Sequence, residues 1–487
     1  MDERMQTLTD RELNTLHDAS VEILGDVGVR FHEPEAVEIF KKHGIKTDGN
    51  TVFLEESHIR RALETAPLAF SITARDPEKS VRIGEDDFVL APGYGAPFIV
   101  TETGEQRKGT LEDYNNFCKL VQTSKYMDMN GFLMVEPSDV PSETAYLDML
   151  FSSIVLCDKP FMGSPLSRQA ARDSVEMAGI VWGGKDTIRD NPVMVSNINV
   201  LSPLQFSKDM AGALIEFARH GQPVIVSVAI MAGATGPVTL SGVLVLQNAE
   251  ILAGITLAQL ITPGVPVIYG AISSSTDMRR GILSFGAPEL SMIVSAAAQI
   301  ARFYGLPSRG GGAVTDAHLP DIQAGIESTL GLTTAVQSGI NFIFLSCGIL
   351  GTTMAMSYEK FAADEELCGM VRKSVKPIEI TDEAIDLETI KEVAIGGEYL
   401  THPKTLERCR TEFFMPDLMN RQNYTEWKAA RKKRLDEKAR EIIARRLGGY
   451  EKPQMDREIE RALSQYVAKR KETKLNTESQ NGLKRKE

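Results

Sequence analysis

The chain has 487 residues, of which 43% are hydrophobic and 25% are charged, and its formal net charge at pH 7 is −12. This length and composition are those of an ordinary globular protein with room for a large core and more than one domain. The acidic balance argues against a nucleic-acid-binding protein, because such a protein presents a basic face to the phosphates.

The cysteines and the apolar runs predict a soluble cytoplasmic protein. The five cysteines are scattered, with no CxxC pair and no zinc-binding spacing, and an odd number suits a reducing compartment. Residues 1–10 are polar and acidic, so we expect no amino-terminal targeting signal. Long apolar runs occur only in small-residue segments broken by Gly and Pro, so we expect no membrane span.

Residues 1–105 are predicted to form a small α/β cap. Two helices are predicted from apolar spacing, over residues 10–25 and 33–43. The short apolar stretches that follow are separated by Asp-Pro and Gly turns, which is typical of short strands. The cap ends in a glycine-rich loop that contains Tyr94 and Phe98.

Between residues 106 and 425, strand patterns alternate with helix patterns. The strands are predicted at residues 132–135, 160–163, 193–199, 224–229, 267–271, 307–312 and 341–345. Because parallel strands need a crossover that is usually a helix, this alternation predicts a parallel sheet. An eighth strand lies either near residues 352–356 or in the cap. Repeated units without a nucleotide fingerprint favour an α/β fold of the (β/α)8 TIM barrel type over an open doubly wound sheet, and we expect no nucleotide cofactor.

The last part of the chain is predicted to be helical and then unstructured. Residues 426–471 are rich in Lys and Arg with apolar residues at helical spacing. This pattern is more typical of solvated helices packed on the barrel than of a nucleic-acid surface. Residues 472–487 are polar and are predicted to form a disordered tail.

The candidate site lies where predicted strands run into loops, because ligands of parallel α/β proteins bind there. The candidate substrate-binding residues are Tyr94, Phe98, Asn197, Asn199, Tyr269, Arg309, Ser346, Cys347, Tyr358 and Glu359. The two asparagines lie two residues apart on one strand, so they should face the same side. Arg309 is the only arginine at a predicted strand end.

Three consecutive glycines, Gly310, Gly311 and Gly312, follow that arginine. They leave no side chain between the backbone and a ligand, so a bulky, flat group could approach closely there. A tight turn explains the same three residues equally well.

The other candidates also have structural explanations. The aromatic candidates are of a kind that more often packs in a core or a cap. Arg309 could instead form an ion pair with Asp316 or Glu327. For Cys347, inert packing is the favoured interpretation.

No acid–base machinery is visible at the strand ends. None of the seven histidines lies at a predicted strand end, and His318 sits in the loop beyond one. Lys360 is the lysine closest to a strand end, and we place it on the next helix. No set of three Cys or His ligands can easily be assembled, so no zinc is expected and the catalytic residues stay unassigned.

That absence suits methyl transfer from a quaternary amine. The departing amine is neutral and needs no proton, so the protein need only hold the cation and orient it toward a strong nucleophile. Aromatic faces and an acidic side chain would hold the cation. An arginine would hold a carboxylate on the same molecule.

Several short motifs together resemble one family. They read Gly-Tyr-Gly-Ala-Pro-Phe at 93–98, Met-Ala-Gly-Ala-Thr-Gly-Pro-Val-Thr-Leu at 231–240, Asn-Ala-Glu at 248–250, Phe-Gly-Ala-Pro-Glu at 285–289, Asp-Ile-Gln-Ala-Gly at 321–325, Ser-Tyr-Glu-Lys-Phe at 357–361 and Thr-His-Pro-Lys-Thr-Leu at 401–406. Over residues 10–465 the chain resembles the trimethylamine methyltransferase family.

The resemblance implies a TIM barrel that passes a substrate methyl group to the Co(I) corrinoid (cobalamin) of a small corrinoid-binding partner protein. Archaeal members that act on trimethylamine carry a pyrrolysine in the barrel. This sequence contains only the standard twenty residues. The resemblance therefore points to the non-pyrrolysine branch and to a quaternary amine such as glycine betaine, proline betaine or carnitine. We also expect a homo-oligomer.

For a betaine substrate, we assign the carboxylate to Arg309, assisted by Asn197 or Asn199. The trimethylammonium group is then expected near Tyr94, Tyr269 or Tyr358, facing the glycine-rich mouth.

Other functions remain open at this point. The chain could be a non-catalytic betaine-binding or sensing barrel, or a methyltransferase for a tertiary methylamine. A barrel lyase or aldolase would lack its lysine or metal. An open mouth for a corrin ring at residues 310–312 and 348–351 favours the enzyme over the sensor.

Overall fold

The computed structural model describes residues 4–484. Its amino-terminal elements are α1 (Asp10–Asp26), β1 (Val29–Phe31), α2 (Pro34–Lys42), β2 (Thr47–Asp48), β3 (Thr51–Val52), α3 (Glu56–Thr65), β4 (Ala69–Ile72), β5 (Val81–Gly84), β6 (Val89–Leu90), β7 (Phe98–Val100) and β8 (Gln106–Lys108). Helix α1 begins at a capping box formed by Thr9 and Glu12, and its buried leucines form its inner face. Both predicted helices of this part are confirmed.

The middle of the chain alternates strands and helices. Its elements are α4 (Leu111–Gln122), α5 (Ala145–Leu156), β9 (Phe161–Met162), α6 (Arg168–Trp182), α7 (Lys185–Asp190), β10 (Met194–Asn199), β11 (Gln205–Phe206), α8 (Lys208–Arg219), β12 (Val224–Val228), β13 (Met231–Ala232), α9 (Leu240–Ile261), β14 (Val267–Ala271), β15 (Ser274–Asp277), β16 (Ile282–Leu283), α10 (Pro288–Phe303), β17 (Ser308–Gly311), α11 (Ile322–Ser338), β18 (Phe342–Phe344), β19 (Ile349–Leu350), β20 (Ala355–Met356) and α12 (Tyr358–Ser374).

The central feature is a seven-stranded sheet in the order β6-β18-β17-β14-β12-β10-β9, in which every pair of neighbours is parallel. Strands β12 and β14 are buried along their whole length, as expected for a parallel sheet covered on both faces. The six strands predicted between residues 160 and 345 are confirmed as strands of this sheet.

The strand predicted at residues 132–135 is wrong. These residues form bends, and only Val135 makes an isolated bridge, to Ala96. Their backbone carbonyls are used elsewhere: the Phe132 carbonyl accepts from the Tyr114 hydroxyl, and the Leu133 carbonyl accepts from the Gly95 N–H. A strand ladder therefore does not form, although the residues are apolar.

The two edge strands of the sheet are connected through residues 128–130. The Asp128 N–H donates to the Leu90 carbonyl of β6 over 3.0 Å, and the Asn130 N–H donates to the Pro160 carbonyl beside β9 over 2.7 Å. Strand β6 comes from the segment predicted as the cap, which was one of the two predicted sources of a further strand. The other source, near 352–356, pairs instead with β7 in a separate sheet.

Helices cover the outer face of the central sheet. Helix α9 is long and apolar enough to cross a membrane by length and composition alone, but 78% of its most apolar window is buried inside the protein. It packs against α1, α3, α8 and the strands β12 and β14. Burial on all sides explains why this helix is apolar all round.

Two small sheets follow the carboxyl ends of the central strands. One contains β13, β15 and β16, and the other contains β19, β20, β7 and β8. A third contains β11, β1, β3 and β2, and joins the loop after β10 to the amino-terminal part.

The carboxyl-terminal elements are α13 (Asp382–Ile385), α14 (Leu387–Val393), α15 (Pro403–Glu412), α16 (Tyr424–Ala429), α17 (Leu435–Gly448) and α18 (Arg457–Lys484). Helix α17 packs on α12 and α4, and α18 packs on α5 and α6. Helix α18 continues to Lys484, through most of the segment predicted as a disordered tail. Residues 485–487 of that segment lie outside the described residues.

Candidate functional site

One row of residues crosses the central sheet near the carboxyl ends of its strands. Asn199 of β10 pairs with Ser227 of β12, which pairs with Gly270 of β14, which pairs with Arg309 of β17. Residues paired in this way on parallel strands point to the same face. The opposite face packs on the outer helices, so this row faces the interior of the curved sheet, which we call the lumen.

Arg309 is a buried cation without an anionic partner. The residue is 3% exposed, and among residues 4–484 no carboxylate forms an ion pair with it. Its Nη1 is 3.4 Å from the Ser227 Oγ, and its Nε has no hydrogen-bond partner. Burial lowers the pKa of Arg309 to about 9. A buried, incompletely hydrogen-bonded guanidinium is costly, and an anionic ligand would remove much of that cost.

The two acidic residues that could have paired with Arg309 are occupied elsewhere. Asp316 accepts from the Phe285 N–H at 2.8 Å and from the Thr352 hydroxyl at 2.6 Å. Glu327 accepts from the Asp316 N–H at 2.9 Å and also from Gln323 Nε2 at 2.9 Å. Arg309 therefore forms no ion pair with either Asp316 or Glu327.

The absence of a side chain at Gly270 leaves space for the side chain of Arg309. It lies between Arg309 and Ser227 in the row, and the guanidinium crosses over this position to reach Ser227. A Cβ at Gly270 would lie 2.6 Å from the Val226 carbonyl oxygen, so even alanine would force the backbone to shift.

The Arg309 guanidinium lies beside one aromatic ring, Phe344, which contacts a second ring, Tyr94. The Phe344 ring centre lies 5.2 Å from the Arg309 guanidinium carbon and 5.1 Å from the Tyr94 ring centre. Burial raises the pKa of the Tyr94 hydroxyl, and the charge of Arg309 opposes that shift. Tyr94 was a candidate, whereas Phe344 was missed. Its pairing with Gly311, two residues beyond Arg309, is the signal that places it in the lumen.

Three further polar residues face the same lumen. Asn197 is 2% exposed and donates from Nδ2 to Asn199 Oδ1 over 2.9 Å, which leaves the Asn197 Oδ1 without a partner. Asn199 is exposed. Ser164 is fully buried and its Oγ has no partner. Because Met162 pairs with Val195, the register places Ser164 opposite Asn197, and this serine was also missed.

The structure places three candidates outside the lumen. Tyr269 points to the helices, where its hydroxyl donates to Asn248 Oδ1 over 3.1 Å. Tyr358 and Glu359 begin α12. The Tyr358 hydroxyl donates to Asp113 over 2.9 Å, and Glu359 lies 3.3 Å from Arg440. For these three residues a substrate contact is not what the structure indicates, because each side chain is directed to a neighbouring helix.

Three other candidates pack in the core or beside it. Ser346 is fully buried, and its hydroxyl donates to the Ile343 carbonyl over 2.8 Å. Cys347 is also fully buried, and burial raises the pKa of its thiol well above the ordinary value. Phe98 packs with a small apolar cluster that includes Leu350.

The glycine run does not form an open mouth. All three glycines are buried. A Cβ at Gly310 would lie 2.9 Å from Val294 of α10, and one at Gly312 would lie 2.8 Å from the Ser346 Oγ. At Gly311 the nearest atom would be Ile272 Cδ1 at 3.4 Å. Gly310 and Gly312 are therefore needed for close packing of strand, helix and loop, whereas at Gly311 the contact is an ordinary one. The approach of a corrinoid along all three glycines stays a prediction, and at two of them the protein itself fills the space.

No group of three His, Cys, Asp or Glu residues within the described part of the chain is arranged to hold a metal ion. The lumen instead combines an unpaired cation, two aromatic rings, an amide pair and two serines. Such an arrangement can bind a small carboxylate through charge-assisted hydrogen bonds and can hold a cation against a ring face.

Comparisons with known proteins agree on one family. A family model described as trimethylamine methyltransferase (MTTB) matches residues 1–474. The chain is 44% identical over 466 residues to the glycine betaine methyltransferase of Desulfitobacterium hafniense (strain Y51), covering 95% of this chain and 96% of that protein. It is 34% identical over 475 residues to the proline betaine:corrinoid methyltransferase of Eubacterium limosum, covering 94% and 96%.

A solved structure shares the fold. The hydroxylamine MtmB complex aligns with a TM-score of 0.53 at 14% sequence identity, covering 90% of this chain and 88% of that chain. At this identity the likeness concerns the α/β architecture alone.

Proposed function

Because this chain belongs to the trimethylamine methyltransferase family, we propose that it is an enzyme that moves a methyl group from a quaternary amine to the Co(I) corrinoid of a small partner protein. Glycine betaine is the first substrate to test, followed by proline betaine and carnitine. Relatives named for each of these three substrates are 44%, 34% and 30% identical to the chain.

The observation that carries the substrate class is the unpaired Arg309. A betaine has a carboxylate a few atoms away from a trimethylammonium group. The carboxylate would supply the anion that the buried guanidinium lacks. Trimethylamine has no carboxylate and would leave Arg309 unpaired, so a tertiary methylamine fits this lumen less well.

The cationic end would lie against the aromatic rings. Phe344 already faces the guanidinium, whereas Tyr94 contacts Phe344 and is the second ring of this pair, so Tyr94 is the ring we assign to the cation. The Tyr94 hydroxyl is buried while the residue as a whole is half-buried, so we place its ring between the lumen and the solvent side from which an acceptor arrives. This assigns one end of the substrate to each side of the lumen.

Methyl transfer needs little from the protein beyond orientation. The bond between nitrogen and one methyl carbon breaks, the amine keeps the electron pair of that bond, and the methyl group is taken by the cobalt of the partner protein. The amine leaves as a neutral tertiary amine, so no proton must move at the reacting atoms. The acceptor corrinoid is a substrate brought by the partner, and we expect no zinc in this chain.

We also propose that the central sheet closes into a (β/α)8 barrel. Support comes from residues 128–130, which hydrogen-bond to both edges of the seven-stranded sheet and so occupy the position of an eighth strand. We further propose that the protein works as a soluble cytoplasmic enzyme, in line with five cysteines that are all free.

The test is methyl transfer with the purified protein. The protein is incubated with Co(I) cobalamin, or with a corrinoid protein, and with glycine betaine, proline betaine, carnitine, choline or trimethylamine. We expect methyl-Co(III) absorbance and a stoichiometric tertiary amine with at least one betaine. If no methyl-cobalt forms with any of these substrates, the enzyme proposal fails and the betaine-binding alternative takes its place.

A further inference from the structure

The segment between α12 and α16 lacks a core of its own. We call residues 376–413, which contain α13, α14 and α15, the C-terminal excursion. Thr389 is the only buried residue among these 38, all of which the structure describes. The chain returns to the outer helices at Leu418, whose N–H donates to Glu366 over 2.6 Å. A segment with so little burial leaves its apolar side chains available to another surface.

The excursion exposes many large apolar side chains. Ten of them are at least 45% exposed: Ile378, Ile380, Ile385, Leu387, Ile390, Ile395, Tyr399, Leu400, Leu406 and Phe413. At an accessible area on the order of 150–200 Å² for a fully exposed large apolar residue, they present roughly 1,000 Å² together. The largest apolar patch on a typical monomer covers only about 300–600 Å². The ten side chains belong to one 38-residue segment and five of them line one groove, so an apolar exposure of this total size is typical of an interface.

The excursion offers both a groove and a protruding side chain. A groove of about 460 Å³ is lined by mostly polar or charged residues and by five of the ten apolar ones: Ile378, Ile385, Ile390, Tyr399 and Phe413. Ile395 is fully exposed at the turn after α14, between Ala394 and Gly396, which both have positive φ. In a two-fold symmetric contact each copy presents the same patch, so a knob and a groove on one segment can be exchanged between copies.

Charge along this part of the chain also suits a two-fold contact. Residues 376–415 contain nine acidic and five basic residues, whereas residues 416–434 contain two acidic and six basic residues. A two-fold axis can place the acidic part of one copy against the basic part of the other. Two chains that each carry a net charge of −12 could then approach each other at this surface.

We propose that the C-terminal excursion binds a second copy of this chain, with Ile395 of each copy seated in the groove of the other. The exposed apolar area meets the ~800 Å² per partner of a standard interface. The choice of a second copy over the corrinoid protein rests on the proposed function, because a methyl acceptor must dissociate after each turnover. Interfaces of such transient partners are no more apolar than the rest of a protein surface, whereas homodimer interfaces are more apolar.

Sedimentation velocity of the full chain tests the assembly and does not depend on methyl transfer. At micromolar concentration the wild type should sediment as a dimer or a multiple of it, and Ile395→Lys should sediment with half that mass. The control is Ile326→Lys, which charges an exposed residue of α11 and should leave the assembly intact. A monomeric wild type overturns the proposal, as does an Ile395→Lys variant that keeps the wild-type mass.

A disulfide cross-link tests where Ile395 lies. Cys409 lines the groove and is the one cysteine of the five that is not buried. With copper phenanthroline and oxygen as the oxidant, Ile395→Cys should give a covalent dimer on a non-reducing gel, while the wild type should not. Removing the second thiol in Ile395→Cys/Cys409→Ser should abolish the cross-link. A cross-link that persists without Cys409 overturns the placement of Ile395 in the groove.

The corrinoid protein is the competing occupant, and kinetics identify it. One result would identify the corrinoid protein as the occupant. In that result Ile395→Lys keeps the wild-type sedimenting mass and the wild-type turnover with free Co(I) cobalamin, but its kcat/KM with the corrinoid protein falls at least tenfold. The proposal of a second copy would then be wrong.

Discussion

Two buried cations near the carboxyl end of β17 differ in how completely they are satisfied. Lys360 is 2% exposed, and its Nζ contacts Asp364 at 2.6 Å, Ser328 at 2.8 Å and the Ala313 carbonyl at 3.0 Å. Arg309 is similarly buried, but besides its contact with the Phe344 ring it has one long hydrogen bond, to Ser227, and an unpartnered Nε. A buried charge with all its partners has a structural role, whereas one without an anion leaves room for a ligand.

The surroundings of the two cations agree with this difference. Asp364 also accepts from the Gly348 N–H over 2.8 Å, so the Lys360–Asp364 pair ties together the loops after β17 and β18 and helix α11. Burial raises the pKa of Asp364, and the charge of Lys360 opposes that shift. Arg309 instead borders an aromatic and amide-lined lumen with no carboxylate beside it.

The largest expected effect is on stability, at the satisfied cation. Lys360→Met should lower the free energy of unfolding by about 3–5 kcal/mol, because it leaves Asp364 buried without its counter-charge. Arg309→Met is the matched comparison and should change stability by less than about 1 kcal/mol, since it removes a cation that has no ion pair. Urea unfolding followed by circular dichroism measures both. A greater loss in Arg309→Met than in Lys360→Met would reverse the roles assigned to the two residues.

The second effect is on activity, at the unsatisfied cation. Arg309→Ala should reduce kcat/KM for a betaine by about 2–3 kcal/mol, or roughly 30–150-fold, because the substrate carboxylate loses its charged donor. Choline, which has a hydroxyl in place of the carboxylate, should lose much less. Steady-state methyl transfer to Co(I) cobalamin measures both substrates. Equal losses would show that Arg309 is structural and that the carboxylate is bound elsewhere.

The pH profile sharpens this assignment, because Arg309 should stay charged throughout. Burial lowers the pKa of Arg309, yet a guanidinium keeps its proton in folded proteins, so the charged, binding-competent form persists across the neutral and mildly alkaline range. A bound carboxylate favours the charged form further, so kcat/KM for a betaine should be flat between about pH 7 and 9. Profiles for wild type and Arg309→Ala over that range check this. A fall in the wild type that Arg309→Ala lacks would show that Arg309 loses its charge there and would contradict the prediction.

The smallest expected effect is at the contact that orients Arg309. Ser227→Ala should raise KM for a betaine by about two- to fivefold with little change in kcat, since a 3.4 Å hydrogen bond contributes weakly. The control is Ser196→Ala, on the neighbouring strand, where the serine is equally buried but donates to the Gly163 carbonyl. Initial-rate kinetics with a betaine and with choline distinguish them. A loss of the same size with choline would mean that Ser227 acts on packing and not on Arg309.

Part of the site was predictable because it depends on local pattern. Asn197, Asn199 and Arg309 lie on recognisable strands, and the carboxyl ends of parallel strands meet at one edge. Tyr94 was found only as an aromatic residue in a glycine-rich loop. Its contact with Phe344 depends on how the loop after β6 returns over the sheet, which no local pattern specifies.

The glycine run shows how one pattern can fit two structures. Gly310 and Gly312 suggested an open mouth, but the space at each is filled by a neighbouring side chain. A glycine indicates that another group approaches the backbone closely. Only the packing shows whether that group belongs to a ligand or to the protein itself.

The sequence by itself determined the alternation of strands and helices, the parallel sheet and the position of Arg309 at a strand end, because hydrophobic periodicity and turn residues act over a few neighbouring positions. Only the tertiary structure decided that Tyr269 and Tyr358 point to helices, that Phe344 and Ser164 face the lumen, and that β6 joins the central sheet. Side chains alternate along a strand, so a shift of one residue in register exchanges the inner and outer faces. The register is set by partners that lie far away in the sequence.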